Sequence, residues 1–374
     1  MANIEVKKLL TDFEKVKELK RVDGFFVEDA RNIYPVFSTN KTEDSYGDEY
    51  DDYHVKKYMV NGKPVYVKQY KGEEKIFSEI LHGRIFNDCG VNSVYSYPLL
   101  VDDDFGFFTS RCGRFFLEEE EKWYDKNVFS QDVNSLGLTC VRGDRVIDKL
   151  FSENFLYFKK EKIQNPFVCL EDELLFREEI TKNTGNPFIS IENNFFRQML
   201  LEVMTSECLD ELDSLIVGAI VEGLNDVHSE NVFFYKTNPK ASKFDGLILI
   251  DNEGTIWDSE YYKLLNHVLT NGTGKDAYKY LLKKATVGWS PFAYMATSHE
   301  QNIQKIKELV ADGKLGPNQI KLLKKLIDYD YIKQASRVLN SYSGLNVPAE
   351  RLEMGKYLID FNRRNLELEN VHVL

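Results

Sequence analysis

Three polar residues at fixed spacing stand between two apolar stretches in the second half of the chain. They are Asp226, His228 and Asn231, within Gly223-Leu224-Asn225-Asp226-Val227-His228-Ser229-Glu230-Asn231-Val232-Phe233-Phe234. An apolar helical pattern ends at Gly223, a polar loop follows, and a strand pattern opens at Val232. Twenty-five positions after Asp226 the apolar run Leu247–Ile250 ends in Asp251-Asn252-Glu253-Gly254. Polar side chains at the ends of buried strands sit at the mouth of a cleft. A carboxamide and two carboxylates converging there offer hard oxygen ligands for Mg²⁺, with one carboxylate left to orient an attacking hydroxyl. The chemistry that needs this set is phosphoryl transfer.

The elements that must position these groups follow from the patterning. Val6, Leu9, Leu10, Phe13 and Val16 recur at helical spacing, so the first twenty residues read as an amphipathic helix. The acid-rich stretch Ser38–Tyr53 reads as a solvated loop. A strand at Lys57–Val60, an Asn61-Gly62 turn and a second strand from Val65 to Tyr70 make a hairpin. Gly72 precedes a helix expected over Glu73–Phe86, with Ile76, Phe77, Ile80, Leu81 and Ile85 on one face. Strands are expected at Ser96–Val101 and Gly106–Ser110. Beyond Glu118 helical periods dominate, at Asn194–Cys208, Asp210–Glu222, His299–Ala311, Asn318–Tyr329, Tyr331–Tyr342 and Ala349–Leu366, with short strands at Val232–Tyr235 and Leu247–Ile250. The aromatic-rich segment from Lys122 to Phe188 shows no assignable period. The expected fold is therefore α+β, a small β-rich lobe over 1–117 and a larger, mainly helical lobe over 118–374.

Asp226-x-His228-x-x-Asn231 followed by Ile250-Asp251 resembles the catalytic and metal-binding loops of the protein-kinase-like superfamily. It is most similar to HipA-like serine/threonine kinases, and next to phosphatidylinositol-kinase-like enzymes. Both read D-x-H-x-x-N where typical protein kinases read H-R-D-x-x-x-x-N. The resemblance implies a bilobal kinase fold using ATP and Mg²⁺, with Asn231 and Asp251 as metal ligands. Asp226 is the implied base in HipA-like proteins and His228 in the phosphatidylinositol-kinase-like group. Val65-Tyr66-Val67-Lys68 resembles the strand whose lysine grips the α/β-phosphates. Glu79, eleven residues before Gly90-Val91, resembles its helical partner, with Glu73 and Glu74 as alternatives. The resemblance implies a protein substrate carrying Ser or Thr. Relatives include toxin kinases and secreted effector kinases that act in host cells.

The sequence departs from the pattern at the phosphate cradle. No G-x-G-x-x-G precedes Lys68, and the segment Ser38–Gly47 merges into acids. Asp104-Phe105-Gly106 spells a kinase metal motif but falls in a turn between strands, ahead of the catalytic loop, and reads as a decoy. Arg142-Gly143-Asp144 reads as a chance tripeptide. Two other classes stay open: a lipid or small-molecule kinase with the same nucleotide site, and a pseudokinase or scaffold.

Composition bounds the rest. The 374 residues hold 48 Lys and Arg against 60 Asp and Glu, for a net charge of -12, which argues against a general nucleic-acid binder. Five scattered cysteines without a C-x-x-C pair indicate neither a disulfide framework nor a zinc site and fit a reducing compartment. No apolar run is long enough to span a membrane, and Met1–Phe13 lacks a signal-peptide core, so a cytoplasmic protein is expected.

Overall fold

The computed structural model describes residues 6, 9–10, 20–22, 25–28, 34–35, 55–60, 63–68, 73–102, 114–119, 121–147, 186–252, 282–283, 285–289, 291–292, 294–342, 345–347, 349–366 and 368. The expected acidic loop, the Gly106–Ser110 strand, the Asp104-Phe105-Gly106 turn and Glu253 lie outside these residues. Of the expected first helix, Val6, Leu9 and Leu10 are described. Val6 and Leu10 are buried and the Leu10 N–H donates to the Val6 carbonyl at helical separation, while Leu9, expected on the same stripe, is exposed.

The Asn-Gly hairpin forms as expected. Strands β4 (Val55–Val60) and β5 (Lys63–Lys68) pair antiparallel with Val60 opposite Lys63, which leaves two residues for the turn. Around them runs an eight-stranded sheet that also takes in β1 (Lys20–Val22), β2 (Phe25–Glu28), β3 (Tyr34–Pro35), β6 (Ser96–Asp102), β7 (Arg114–Leu117) and β8 (Lys122–Gln131). Its order is β1-β2-β6-β8-β5-β4-β3, with β7 beside β8.

The longest strand of this sheet, β8, begins the segment for which the sequence shows no period. Its first half alternates, with Trp123 out and Tyr124 in. Its second half does not. Asn127, Ser130 and Gln131 are as buried as Val128 and Phe129, because β5 and β6 flank the strand and both its faces are covered. Buried polar residues therefore hide the strand from a hydropathy reading. The sheet also runs past the 117/118 boundary expected from the sequence, since β8 pairs with both β5 and β6.

Helix α1 (Glu73–Cys89) crosses this sheet. The sequence suggests one apolar face, but Ser78, Glu79 and His82 are buried alongside Phe77 and Ile80. The sheet covers one side. On the other lie the C-terminal helices α6 (Pro317–Ile327), α7 (Tyr331–Ser341) and α8 (Ala349–Leu366).

The large lobe is built on α4 (Ser206–Glu222). Thr205 caps it at its start, accepting from the Cys208 N–H, and Gly223 ends it at a φ of 72°, where a side chain would be strained. The helix expected over Asn194–Cys208 is two. Helix α3 (Asn194–Val203) stops at Met204, because the chain there pairs with Phe244: the Phe244 N–H donates to the Val203 carbonyl and the Thr205 N–H to the Phe244 carbonyl. A short helix, α2 (Ile189–Glu192), precedes it, and α5 (His299–Ala311) packs on α4. Two strand sets join these: the expected strands at Val232–Tyr235 and Leu247–Ile250 gain a third that the sequence reading lacked, and a further hairpin was not foreseen. Strand β9 (Thr139–Arg142) pairs with β10 (Val232–Lys236), which pairs with β11 (Gly246–Leu249); β12 (Ala285–Trp289) and β13 (Tyr294–Ser298) form a hairpin.

The lobes are stitched together at β11. Helix α1 ends in a turn through Gly90 at a φ of 114°, and the following residues lie along β11. The Val94 N–H donates to the Leu249 carbonyl at 3.1 Å and the Leu249 N–H to the Asn92 carbonyl at 2.9 Å. The small lobe thus hydrogen-bonds the strand that carries Asp251. Among the described residues no helix is long and apolar enough to cross a membrane.

Candidate active site

Lys68 is the last residue of β5, and its ammonium is buried, with 8% of the side chain exposed. It meets two carboxylates. Lys68 Nζ donates to Glu79 Oε1 at 3.0 Å and Oε2 at 3.2 Å, and lies 3.2 Å from Asp251 Oδ1. Burial alone would lower the lysine's pKa, but Asp251 and Glu79 outweigh it and hold it above its usual value. The ammonium stays charged. A buried cation costs several kcal/mol in desolvation unless such partners are present, so the two carboxylates are a condition of its burial.

Glu79 comes from the middle of α1 and is wholly buried. Ser96 Oγ, at the start of β6, donates to Glu79 Oε1 at 2.9 Å and fixes the carboxylate from the far side. The Glu73 alternative is placed elsewhere: Glu73 Oε1 pairs with Lys126 and its Oε2 accepts from the Asn346 N–H.

Asp251 stands just beyond the end of β11 in the left-handed region, with a φ of 63°. That conformation costs a non-glycine residue roughly 1–2 kcal/mol. It turns the chain so that the carboxylate faces Lys68. Burial, the first cause, pushes the Asp251 pKa up; Lys68 opposes this, and the charges of Glu79 and Asp226 add to it. Asp251 Oδ1 is buried and no hydrogen-bond donor aligns with it among the described residues, so it faces Lys68 as charge on charge. Next to it, Asn252 is fully buried and its Nδ2 donates to Ser93 Oγ at 3.0 Å. Gly83 on α1 leaves room for that contact, since a Cβ there would lie 3.2 Å from Asn252 Nδ2 and 3.0 Å from the Val94 carbonyl.

The catalytic-loop candidates lie beside Asp251. The Ile250 N–H donates to the Asn231 carbonyl at 2.9 Å, joining the two loops through their backbones. Asn231 Nδ2 donates to the Asp226 carbonyl at 2.8 Å, which turns its Oδ1 the other way. His228 Nδ1 accepts from the Glu230 N–H at 3.2 Å and caps the short 3₁₀ turn Ser229–Asn231. Its Nε2 faces Asp226 Oδ1 at 3.8 Å, and nearly half of the Asp226 side chain is open to solvent. The structure thus gathers Lys68, Glu79 and Asp251 into direct contact and sets Asp226, His228 and Asn231 around the adjoining loop.

Gly143 belongs to the tripeptide that the sequence reading set aside as chance. A Cβ there would lie 2.4 Å from the Ser229 carbonyl and 3.0 Å from the Val232 carbonyl, so the end of β9 approaches the catalytic loop more closely than any side chain permits. Arg142 and Asp144 flank it in a two-pronged pair at 2.8 and 2.6 Å. The only sequence signal was a glycine at the end of a short apolar run.

No family model matches the chain, and no curated protein matches it. Solved structures to which it is similar include that of a Helicobacter pylori proinflammatory kinase, CtkA, at 12% identity over 84% of this chain and 92% of that one, with a TM-score of 0.48. WaaP in complex with acyl carrier protein is similar at 11% identity over 95% of each chain, with a TM-score of 0.27. Choline kinase LicA from Streptococcus pneumoniae is similar at 13% identity over 84% of this chain and 89% of that one, with a TM-score of 0.18. With all three scores below 0.5, the reading of the site rests on its own geometry. The fold is a bilobal α+β fold with a small β-rich lobe and a larger, mainly helical one.

Two predictions test this geometry without any assay of activity. Lys68→Met leaves Glu79 buried beside Asp251 without a cation and should cost about 3–5 kcal/mol in denaturant unfolding. Adding Glu79→Leu should recover most of that loss; a double variant no more stable than Lys68→Met would show that the pair is not held as an ion pair. Gly143→Ala should cost about 1–3 kcal/mol in the same measurement, because the catalytic-loop backbone must move. A wild-type unfolding midpoint for Gly143→Ala would refute the close approach.

Proposed function

We propose that the chain is an ATP- and Mg²⁺-dependent phosphotransferase, and within that class a HipA-like protein serine/threonine kinase. The observation that carries the reading is Lys68, buried between Glu79 of the small lobe and Asp251 of the large lobe. A lysine held by a helical glutamate, with a strand-end aspartate beside it, is the arrangement that grips α/β-phosphates and a metal-bound γ-phosphate.

The residues present fit a hard cation. Asn231 has a carboxamide oxygen turned away from its Nδ2 bond, and Asp251, with 25% of its side chain exposed, has a second carboxylate oxygen besides the Oδ1 that faces Lys68. Asn231 and Asp251 would hold Mg²⁺, which when bound neutralises phosphate charge. Lys68, oriented by Glu79 and Ser96, would bind the α/β-phosphates. Asp226 is the better placed base. It is the more exposed of the two candidates, whereas His228 spends Nδ1 on its own turn. His228 would then steady Asp226 through Nε2. The D-x-H-x-x-N spacing and this division of roles favour the HipA-like branch, hence a protein hydroxyl as acceptor. We also propose that the lobes divide just after Gln131, where β8 ends, in place of the 117/118 boundary.

Two measurements test the function. Asp251→Ala should abolish Mg²⁺-dependent transfer of labelled phosphate from ATP to the protein itself or to a basic protein acceptor, with the fold retained by circular dichroism; wild-type-like turnover in that variant would sink the assignment. Transfer to lipid or choline-like acceptors with none to protein would move the acceptor class and leave the nucleotide site standing. The second concerns pH. The raised Asp251 pKa means that the folded apoprotein holds this proton above the ordinary carboxylate value of 3.8. The charged carboxylate is therefore unfavourable without metal, and Mg²⁺ offsets that. The rise in thermal midpoint caused by Mg²⁺ alone should grow as pH increases through the range above 3.8 and vanish in Asp251→Asn. A pH-independent rise, or one that persists in Asp251→Asn, would place the metal elsewhere.

A further inference from the structure

We infer that Arg351, on the C-terminal helix, is a positioning residue for the Lys68–Glu79 pair. It acts through Ser78, 273 residues away in sequence. The inference rests on the reading of Lys68 and Glu79 as the groups that grip the nucleotide.

Arg351 heads the largest fully buried side chains among the described residues, at 2% exposure. Its Nη1 donates to the Tyr331 hydroxyl at 3.1 Å, and its Nη2 donates to Ser78 Oγ at 3.2 Å. A buried guanidinium carries a desolvation cost that an apolar side chain of similar volume would avoid. What it adds is direction: a planar fork fixes two partners relative to each other, as a methionine could not. Here the partners are α7, through Tyr331, and α1, through Ser78. The Tyr331 end is built to receive it. Gly355, four residues on from Arg351 and so on the same face of α8, lies where a Cβ would meet the Tyr331 ring at 2.1 Å.

Ser78 and Glu79 are consecutive on α1, about 100° apart around the helix axis. Any rotation of α1 that withdraws Glu79 from Lys68 must also carry Ser78 away from Arg351. The register of Glu79 is therefore set from the side opposite the sheet. Helix α8 is in turn anchored to the large lobe. Asn362 Nδ2 donates to the Val221 carbonyl at 2.8 Å, two residues before the Gly223 turn that launches the catalytic loop, and Arg363 Nη2 donates to the Ile327 carbonyl at 2.8 Å. Asn362 Oδ1 also meets His299 Nε2 at 2.8 Å, and burial, against that bond, pushes the histidine pKa down to about 4, so the ring is neutral. One helix thus holds both the glutamate helix and the helix that ends at the catalytic loop.

The test compares full-length wild type with Arg351→Met, Arg351→Lys, Ser78→Ala and the Arg351→Met/Ser78→Ala pair. Arg351→Met should raise the KM for ATP roughly tenfold with a smaller change in kcat, and should speed amide hydrogen exchange across residues 73–89 more than across 206–222. Ser78→Ala should shift both readouts in the same direction, Arg351→Lys should fall between wild type and Arg351→Met, and the double variant should be no worse than Arg351→Met alone. A residue that merely supports the fold would lower kcat with the folded fraction and leave KM unchanged, and that result overturns the proposal. So does Ser78→Ala adding its full effect on top of Arg351→Met. Should Arg351→Met fail to fold, Ser78→Ala with wild-type KM and wild-type exchange over 73–89 overturns it equally. If wild type itself neither binds nor turns over ATP, the nucleotide reading falls, and the exchange comparison still decides whether Arg351 sets α1.

Discussion

The burial of one ammonium group organises this molecule. Lys68 can be charged away from water only if carboxylates reach it, and the two that do so come from different lobes: Glu79 from the helix over the small sheet, Asp251 from the end of a large-lobe strand. Each must arrive within about 3 Å, so the constraint propagates backwards into the fold. It requires α1 to be held in register, β11 to end where it does, and the lobes to share backbone hydrogen bonds. All three are present, through Ser96 and Arg351, through the left-handed Asp251, and through the Asn92–Val94 pairing with Leu249.

On the proposed function, the same cluster reconciles an acidic protein with an anionic ligand. Lys68 brings one positive charge to Glu79 and Asp251, and Asp226 stands close enough for its charge to be felt at Asp251. The cluster is left with an excess of negative charge; burial first, and then the charges of Glu79 and Asp226, keep the Asp251 proton on above its usual range. A divalent cation reverses that sign locally, and with it the disposition towards phosphate. The chain's overall charge of -12 thus says little about this cleft.

Legibility from sequence divides along physical lines. Elements with a single buried face showed themselves: α5 and α8 fall on their expected bounds, and β4 and β5 pair with Val60 opposite Lys63, where the hairpin was expected. Asp226, Asn231 and Asp251 were visible because polar groups at the end of an apolar run are conspicuous. Elements buried on two faces were legible only in part. Strand β8 carries Asn127, Ser130 and Gln131 into the interior and shows no alternation, while α1 was marked by its apolar stripe but its second buried side, with Ser78, Glu79 and His82, was not. Gly143 was invisible because its importance lies in a neighbouring backbone, 2.4 Å from where its Cβ would be, and a neighbour in space leaves no local mark.

That division explains why Glu79 was the least determined of the site residues in sequence. On a helix with one apolar face, Glu79 lies off the stripe and reads as solvated. It is buried because it turns towards Lys68 of β5 and Ser96 of β6, while the neighbouring side of α1, at Ser78, is covered by α6, α7 and α8, from the C-terminal hundred residues that no motif ties to the site. The contacts run the length of α1: Arg351 to Ser78, the Arg84 guanidinium to the Tyr342 hydroxyl at 3.1 Å, Tyr329 to Asp88 at 2.9 Å, and Lys325 to the Cys89 carbonyl at 3.1 Å. A helix gripped at four levels cannot swing outward without exposing a buried guanidinium and breaking its hydrogen bonds. In kinases where the glutamate helix is free on that side, its position is open to control by other events. Here the covering helices supply the position as part of the fold, which ties the Lys68–Glu79 pair to the integrity of the C-terminal helices.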